Sequence, residues 1–419
     1  MKKTLKFGGT SVGSATNMRC VAQIIVSEGS NLTVLSAMSG TTDALEKLGK
    51  TGERDEALVL LRSKYGQCIE ELLSQKEAAL ERMEQSLEII ATSPSQKEIL
   101  AQGELLTTFI FTQYLTEQGI KAELIHAPDF MNTDDQGLVE TQRLALLKER
   151  CSDSETHYVT QGFICTNSQG QLDNLGRGGS DYSAALMGVA IDSKEVQIWT
   201  DIDGMHTGDP RFVEGTRTIR RMSFDEAAEL AYFGAKILHP STIQPCKAAG
   251  VDVRLKDTMH PEAEGTLIGN SDESAMSFHA VAAKDNITVV RITSERMLMA
   301  YGFLRRVFEV FEKYQTPIDM ITTSEVAVSL TVDNTAHLDA ICEELRDMAT
   351  VEIEQNNTIV CIVGRINHEQ VGLAARIFKA IENVPVKMIS YGASHRSLVM
   401  LISTENKITT LQSLNDFLF

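Results

Sequence analysis

Through its first 165 residues the chain alternates short apolar runs with longer stretches whose apolar residues recur at helical spacing. The runs predict strands at Thr4–Phe7, Leu32–Leu35, Ala122–Ile125 and Tyr158–Thr160, and the longer stretches predict helices at Ala57–Ile90 and Ser95–Gln118. Residues 54–90 carry many charges at helical spacing and read as a solvated helical hairpin. Strands alternating with helices imply a mainly parallel sheet sandwiched by helices. The same rhythm continues to about residue 270, with helices at Asp181–Ile191 and Ser223–Tyr232 and strands at Val196–Thr200 and Val251–Leu255. The polar run Asn270-Ser271-Asp272-Glu273-Ser274 then marks a domain boundary.

The last third repeats itself. Gly302-Phe303-Leu304 opens a helix that leads to Pro317-Ile318-Asp319-Met320-Ile321, and 70 residues later Gly372-Leu373-Ala374 opens one that leads to Pro385-Val386-Lys387-Met388-Ile389. Each pair is followed by a β-rich run, Val326–Val332 or Leu398–Ser403, and by a further helix, Ala336–Met348 or Lys407–Phe417. This pattern predicts two βαββαβ units whose copies pair into one continuous sheet.

A length of 419 residues predicts two or three domains. A net charge of −18 argues against nucleic acid and anionic membrane as partners, although a local Lys/Arg cluster can still hold an anionic substrate. Seven scattered cysteines without a C-x-x-C pair argue against a disulfide framework and structural zinc and fit a reducing cytoplasm. Neither a signal peptide nor an apolar run of membrane-spanning length is visible.

Candidate chemistry sits where predicted strands end. Lys6-Phe7-Gly8-Gly9-Thr10-Ser11 closes the first strand with a glycine pair and then offers Thr10 and Ser11 as helix caps. Glycine lets backbone N–H groups approach an anion, and a helix start adds partial positive charge. A lysine beside such a turn points to a transferring phosphoryl group. Gly8 and Gly13 keep P-loop spacing, but Ser14 and Ala15 follow where that loop needs Lys-Ser/Thr.

Gly176-Arg177-Gly178-Gly179-Ser180-Asp181 is a second such loop, before a helix rich in Ala and Gly. Its Arg177 is suited to a carboxylate, Ser180 and Asp181 to capping, and Asp181 either to Mg²⁺ or to positioning a lysine. Thr200-Asp201, after a strand, is placed for a nucleotide, and Gly208-Asp209-Pro210-Arg211 presents an arginine to phosphates. Lys236, within Phe233–Pro240, is a further candidate for phosphate contact. Gln102-Gly103-Glu104 places a glycine inside a helix, which a close ligand would justify, and Glu104 could pair with a substrate ammonium.

Over nearly its whole length the chain resembles the aspartokinases of the amino-acid kinase superfamily, through Lys6–Val12, Leu35-Ser36-Ala37, Gly103-Glu104, Gly176–Asp181, Trp199–Asp201, Asp209–Arg211 and Phe233–Pro240. Ile321–Val326 and Tyr391-Gly392-Ala393-Ser394 resemble the monofunctional lysine-sensitive type. The resemblance implies an amino-acid-kinase catalytic domain over 1–275, with lobes 1–165 and 166–275, and a regulatory domain of two ACT units over 276–419. It implies transfer of the ATP γ-phosphoryl group to the β-carboxylate of L-aspartate, with Mg²⁺ held mainly by phosphate oxygens and water. Lys6 and Asp181 would be catalytic, and Ser36, Thr42, Glu104, Arg177 and Ser180 would bind aspartate. Lys6, the N–H groups of Gly8 and Gly9, Thr10, Thr200, Asp201, His206, Arg211 and Lys236 would bind ATP, no residue being assigned as a direct metal ligand. Met297, Phe303, Leu304, Ile318, Asp319, Ser324 and Glu325 would receive an effector, lysine first, at a homodimer or homotetramer built through ACT units.

His206 stands where the family has a tyrosine, Asp43 where the lysine-sensitive type has an asparagine, and Met299 and Ala300 where that type has histidine and serine. Threonine, a mixed response or no response therefore stay open beside lysine. An amino-acid kinase with another acceptor, and a non-catalytic amino-acid sensor, are the competing readings.

Overall fold

The computed structural model describes residues 2–51, 54–234, 238, 242–270, 278–294, 301–366 and 369–419. The chain divides into two units. One comprises Met1–Met205, Thr218–Phe224 and Leu238–Asp272, and the other His206–Arg217, Asp225–Ile237 and Glu273–Phe419. The stretches 206–217 and 225–237 thus group with the C-terminal third rather than with the residues that flank them.

The first unit begins with β1 (Lys3–Phe7), α1 (Ala15–Glu28) and β2 (Leu32–Leu35). Four helices follow, α2 (Thr41–Thr51), α3 (Arg54–Leu72), α4 (Glu77–Thr92) and α5 (Gln96–Glu117), then β3 (Ala122–Leu124), α6 (Thr141–Arg150) and β4 (His157–Gln161). A small hairpin, β5 (Ile164–Thr166) and β6 (Leu172–Asn174), leads into α7 (Gly179–Ala190) and β7 (Glu195–Thr200). The set closes with β8 (Arg221–Ser223), α9 (Gln244–Ala249), β9 (Asp252–Asp257) and β10 (Thr266–Gly269), while α8 (Phe224–Tyr232), which follows β8 in the chain, belongs from Asp225 onward to the second unit.

Eight strands form one sheet in the order β3-β4-β2-β1-β7-β9-β10-β8. The six from β3 to β9 are mutually parallel, and β10 and β8 run together antiparallel to them at the edge. β2 is buried at every position and β1 at all but its first, as expected of strands covered on both faces. The helical hairpin predicted over 54–90 is formed by α3 and α4, but it is not merely solvated. Leu61, Tyr65, Ile69, Met83 and Leu87 all enter the main core.

Two capping expectations are corrected. α1 is capped by Ser14, whose hydroxyl accepts the Asn17 N–H at 3.2 Å, while Thr10 and Ser11 belong to the preceding turn. α7 is entered through Gly178 in the left-handed conformation (φ 73°), so Ser180 and Asp181 lie in its first turn. The small residues of α7 are explained by packing. A Cβ on Gly188 would stand 2.5 Å from Val196 Cγ2, a fully buried methyl of β7. Gly188→Ala gains about 1 kcal/mol of helix propensity but overpacks this contact at a cost of about 1–3 kcal/mol. A lowered melting temperature is expected, with recovery in the Gly188→Ala/Val196→Ala double variant, measured by thermal denaturation.

The second unit is built on β11 (Phe278–Thr293), α10 (Phe303–Lys313), β12 (Ile321–Thr323), β13 (Ala327–Val332), α11 (Leu338–Arg346), β14 (Thr350–Gly364), α12 (Leu373–Ala380), β15 (Val386–Ser390), β16 (Ser397–Ser403) and α13 (Lys407–Leu418). One antiparallel sheet runs β12-β13-β11-β14-β16-β15, the continuous sheet that the repeat predicts. β11 and β14 pair along nearly their full length, with irregularities in register around Ile287. Asn286 and Asn356 break these strands at matching points 70 residues apart, both at φ 62°, a conformation that asparagine tolerates better than most residues. Each strand thereby serves two cores. Val290 and Ile292 of β11 pack with α10 and α11, while Phe278 and Val281 of the same strand pack with α12 and α13.

Candidate functional site

The carboxyl ends of β1, β2, β4 and β7 gather the predicted site of the first unit. Lys6 lies at the end of β1 with only 8% of its surface exposed. Its Nζ meets Asp181 Oδ1, in the first turn of α7, at 2.6 Å. Of the two roles open to Asp181, this geometry is that of a carboxylate positioning a lysine. The chain then turns at Gly8. A Cβ there would be 3.7 Å from Lys6 Nζ, so glycine keeps the space beside the ammonium clear. The Gly8 N–H donates to the Trp199 carbonyl at 3.1 Å, closing β1 onto β7. This corrects the expectation that both glycine N–H groups face an anion. Ser11 continues the tie, sharing a 2.7 Å hydrogen bond with Thr258 beyond β9.

The loop after β2 completes the other side. Ser36 N–H donates to Phe7 O at 3.2 Å and Ser39 N–H to Gly9 O at 3.0 Å. A Cβ on Gly9 would lie 2.8 Å from Ala37 O, so the glycine turn and this loop are in close contact. Thr42 follows in the first turn of α2, half-buried. α5 passes behind. A Cβ on Gly103 would lie 2.8 Å from the Ala37 Cβ and 2.9 Å from Thr41 Cγ2, so the glycine inside this helix is explained by the loop packed on it rather than by a ligand.

One turn of α5 brings Glu104 to the same loop. Its Oε1 accepts the Ala37 N–H at 3.2 Å, and its Oε2 has no hydrogen-bond partner among the described residues. Burial pushes this carboxyl up to about 7, against the opposing pull of the Ala37 N–H and the Lys6 ammonium. A buried carboxyl with one oxygen unsatisfied is costly, and a cationic group arriving at it would offset that cost.

Arg177 is exposed, and Ser180 is half-buried in the first turn of α7, where a Cβ on Gly162 at the end of β4 would come within 2.7 Å of the serine Cβ. Thr200 at the end of β7 donates its hydroxyl to Asp201 Oδ1 at 3.0 Å, and Asp201 is exposed. Thr10 is exposed on the glycine turn, and its carbonyl accepts from Asn17 Nδ2 at 2.8 Å. The structure therefore brings Lys6, Gly8, Gly9, Ser36, Glu104 and Asp181 to one end of the sheet. Residues that motif reading missed here are Lys64, Tyr65 and Thr107, which reach the 36–42 loop from α3 and α5, and Phe163, held at φ 68° beside the start of α7. A tyrosine on the apolar stripe of α3, whose hydroxyl must find a partner once buried, is the signal that could have found Tyr65.

Lys236 and Met297 lie outside the described residues. His206 and Arg211 belong to the second unit. His206 Nδ1 is 3.4 Å from the Thr216 hydroxyl. Arg211 is held by Asp209 through Nε at 2.9 Å and Nη2 at 2.6 Å rather than standing unpaired. Among the effector candidates, Leu304, Ser324 and Glu325 are exposed and Ile318 is half-buried. Phe303 is a correction, because its side chain is buried in the core beneath α10 and cannot face a ligand. The Asp319 side chain is buried and accepts from Tyr232 at 2.8 Å and from Lys284 at 2.7 Å. No group of three or more His, Cys, Asp or Glu side chains that could hold a metal occurs among the described residues, and no described helix is long and apolar enough to cross a membrane.

A buried lysine fixed by an aspartate beside a glycine turn, at the carboxyl end of a parallel sheet, defines an α/β phosphotransfer class. The family model for the amino acid kinase family matches residues 1–257, and one for the ACT domain matches residues 360–417. Lysine-sensitive aspartokinase 3 of Escherichia coli is 34% identical over 99% of this chain and 98% of its own length. The crystal structure of E. coli aspartokinase III with aspartate and ADP superimposes with a TM-score of 0.86 at 34% identity, covering 100% of both chains. The same enzyme with lysine and aspartate gives 0.83 at 35% identity, covering 100% of this chain and 99% of that one. The chain belongs to the aspartokinases of the amino acid kinase family.

Proposed function

We propose that this chain transfers the γ-phosphoryl group of ATP to the β-carboxylate of L-aspartate, giving 4-phospho-L-aspartate. The observation that carries the reading is the buried Lys6–Asp181 pair, which shares one strand end with the half-satisfied carboxyl of Glu104. The E. coli enzyme that this chain resembles over its full length has been solved with aspartate and ADP, and also with lysine and aspartate.

The acceptor carboxylate is already ionised at neutral pH, so no general base is required and catalysis rests on alignment and charge neutralisation. Lys6, held by Asp181, neutralises charge on the transferring group, with the Gly9 N–H beside it. Glu104 takes the aspartate ammonium, Arg177 its α-carboxylate, and Ser36, Thr42 and Ser180 seat it. Thr10, Thr200 and Asp201 serve the nucleotide. Mg²⁺ would be held mainly by phosphate oxygens and water and would supply charge neutralisation.

The catalytic part is assigned to 1–275 and the regulatory part to 276–419, with lysine as effector at Met297, Leu304, Ile318, Asp319, Ser324 and Glu325 in a homo-oligomer formed through the ACT units. Seven cysteines, all unpaired, support a reducing, cytoplasmic setting.

One assay tests this. ADP release should depend on aspartate, should not appear with N-acetylglutamate or UMP, and should fall when lysine rather than threonine is added. Turnover with either alternative acceptor but not with aspartate would overturn the assignment.

A further inference from the structure

We propose that Tyr65 and Thr107 are positioning residues for the acceptor, their buried hydroxyls holding the 36–42 loop and Glu104 in the arrangement that receives the amino acid. The proposal rests on the acceptor reading given above, and it adds residues that no motif of the family pattern includes.

Tyr65, Thr107 and Thr41 are each at most 1% exposed. Thr107 Oγ1 donates to Gly103 O at 2.8 Å and accepts the Met38 N–H at 3.2 Å. Tyr65 OH lies 3.1 Å from Thr107 Oγ1, 3.2 Å from Thr41 Oγ1 and 3.3 Å from Gly103 O. A hydroxyl has one proton and two lone pairs, so the directions follow. Thr107 has given its proton to Gly103 O, so the Tyr65 hydroxyl donates to Thr107 Oγ1 or to Gly103 O, and Thr41 donates to Tyr65. The chain runs from Thr41 through Tyr65 to Thr107 and the α5 backbone, and every hydroxyl in it is used.

The loop is thereby pinned at three points. Ala37 N–H goes to Glu104, Met38 N–H to Thr107 and the Thr41 hydroxyl to Tyr65. Glu104 and Thr107 are three apart on α5 and share a face, so one helix face sets both the loop and the carboxyl meant for the substrate ammonium. Lys64, the residue before Tyr65 on α3, donates to Ser39 O, and Ser39 N–H reaches Gly9 O at 3.0 Å. A shift of the loop would therefore move Ser36, Thr42 and Glu104 relative to one another while β1 and Lys6 stay in the sheet.

The simpler account is that these hydroxyls only satisfy one another inside a core. Steady-state kinetics separates the two. Tyr65→Phe removes a single oxygen and leaves the ring in the core. The KM for aspartate should rise about tenfold, the worth of one or two buried hydrogen bonds, while the KM for ATP and kcat stay close to those of the unmodified chain. Thr107→Val should shift the aspartate KM in the same direction and Thr107→Ser should restore it, a comparison that carries the test if Tyr65→Phe does not fold. A lowered melting temperature with an unchanged aspartate KM, or equal losses for both substrates, would overturn the proposal. Aspartate turnover of the unmodified chain is measured first, so a wrong acceptor assignment shows itself there and not in the variants.

Discussion

Lys6→Met should lower kcat by about a thousandfold, the scale seen when one preorganised charge-stabilising group is removed from an active site. Lys6 is the penultimate residue of β1 and is paired with β2 on one side and β7 on the other, so its ammonium is delivered to a fixed point with little freedom left to lose. Asp181 supports it from the opposite element at 2.6 Å. Among the described residues no other lysine or arginine pairs with Asp181. Methionine preserves the aliphatic stem and hence the packing of β1. Circular dichroism and melting should therefore stay close to those of the unmodified chain while turnover collapses, and a residual rate within tenfold would remove Lys6 from the mechanism. Removing the ammonium also leaves Asp181 unpaired in a half-buried place, so the Lys6→Met/Asp181→Asn double variant is the control for any loss of stability.

Glu104 should impose a pH dependence on both stability and aspartate binding. Its carboxyl sits at about 7 in the folded chain against 4.5 when unperturbed, because burial disfavours the charged form. The folded state therefore keeps a proton that the unfolded state has lost across that interval. Stability from this group is fully present below pH 4.5 and is lost as pH rises through 7, by on the order of 3 kcal/mol. Glu104→Gln should flatten that slope in denaturant titrations followed between pH 5 and 8. Binding has the opposite sense, since a substrate ammonium needs the carboxylate. The aspartate KM should rise about tenfold for each pH unit below 7, and calorimetry in buffers of different ionisation enthalpy should register a released proton. In Glu104→Gln the KM should be high and nearly independent of pH. A KM profile that is flat in the unmodified chain would separate Glu104 from the substrate ammonium.

What could be read in the chain follows from how local each feature is. The Lys6 turn, the Gly176–Asp181 loop and the end of β7 are written in contiguous residues, and strand-then-glycine patterns announce them. The repeat in the last third is legible because both copies preserve the same order of glycine, apolar helix and proline. Other features depend on pairings that adjacent residues do not encode. Gly103 looks like a ligand-approach site until α5 is seen against Ala37 and Thr41. Gly8 looks like an anion donor until β7 supplies the carbonyl that takes its N–H. Phe303 stands at a helix start yet turns inward, because the hydrophobic stripe of α10 begins with it. Tyr65 was hidden in a charged stretch whose exposed face dominates its composition, although Leu61, Tyr65, Ile69 and Leu72 mark its buried side.

The two long strands of the C-terminal sheet have a consequence for transplantation. β11 lends one half to each core, and β14 pairs with it through both. Neither copy of the duplicated module is therefore self-sufficient, and excising one would strip its twin of a central strand. A transplant of this part into another chain should therefore fold only as the complete doubled block.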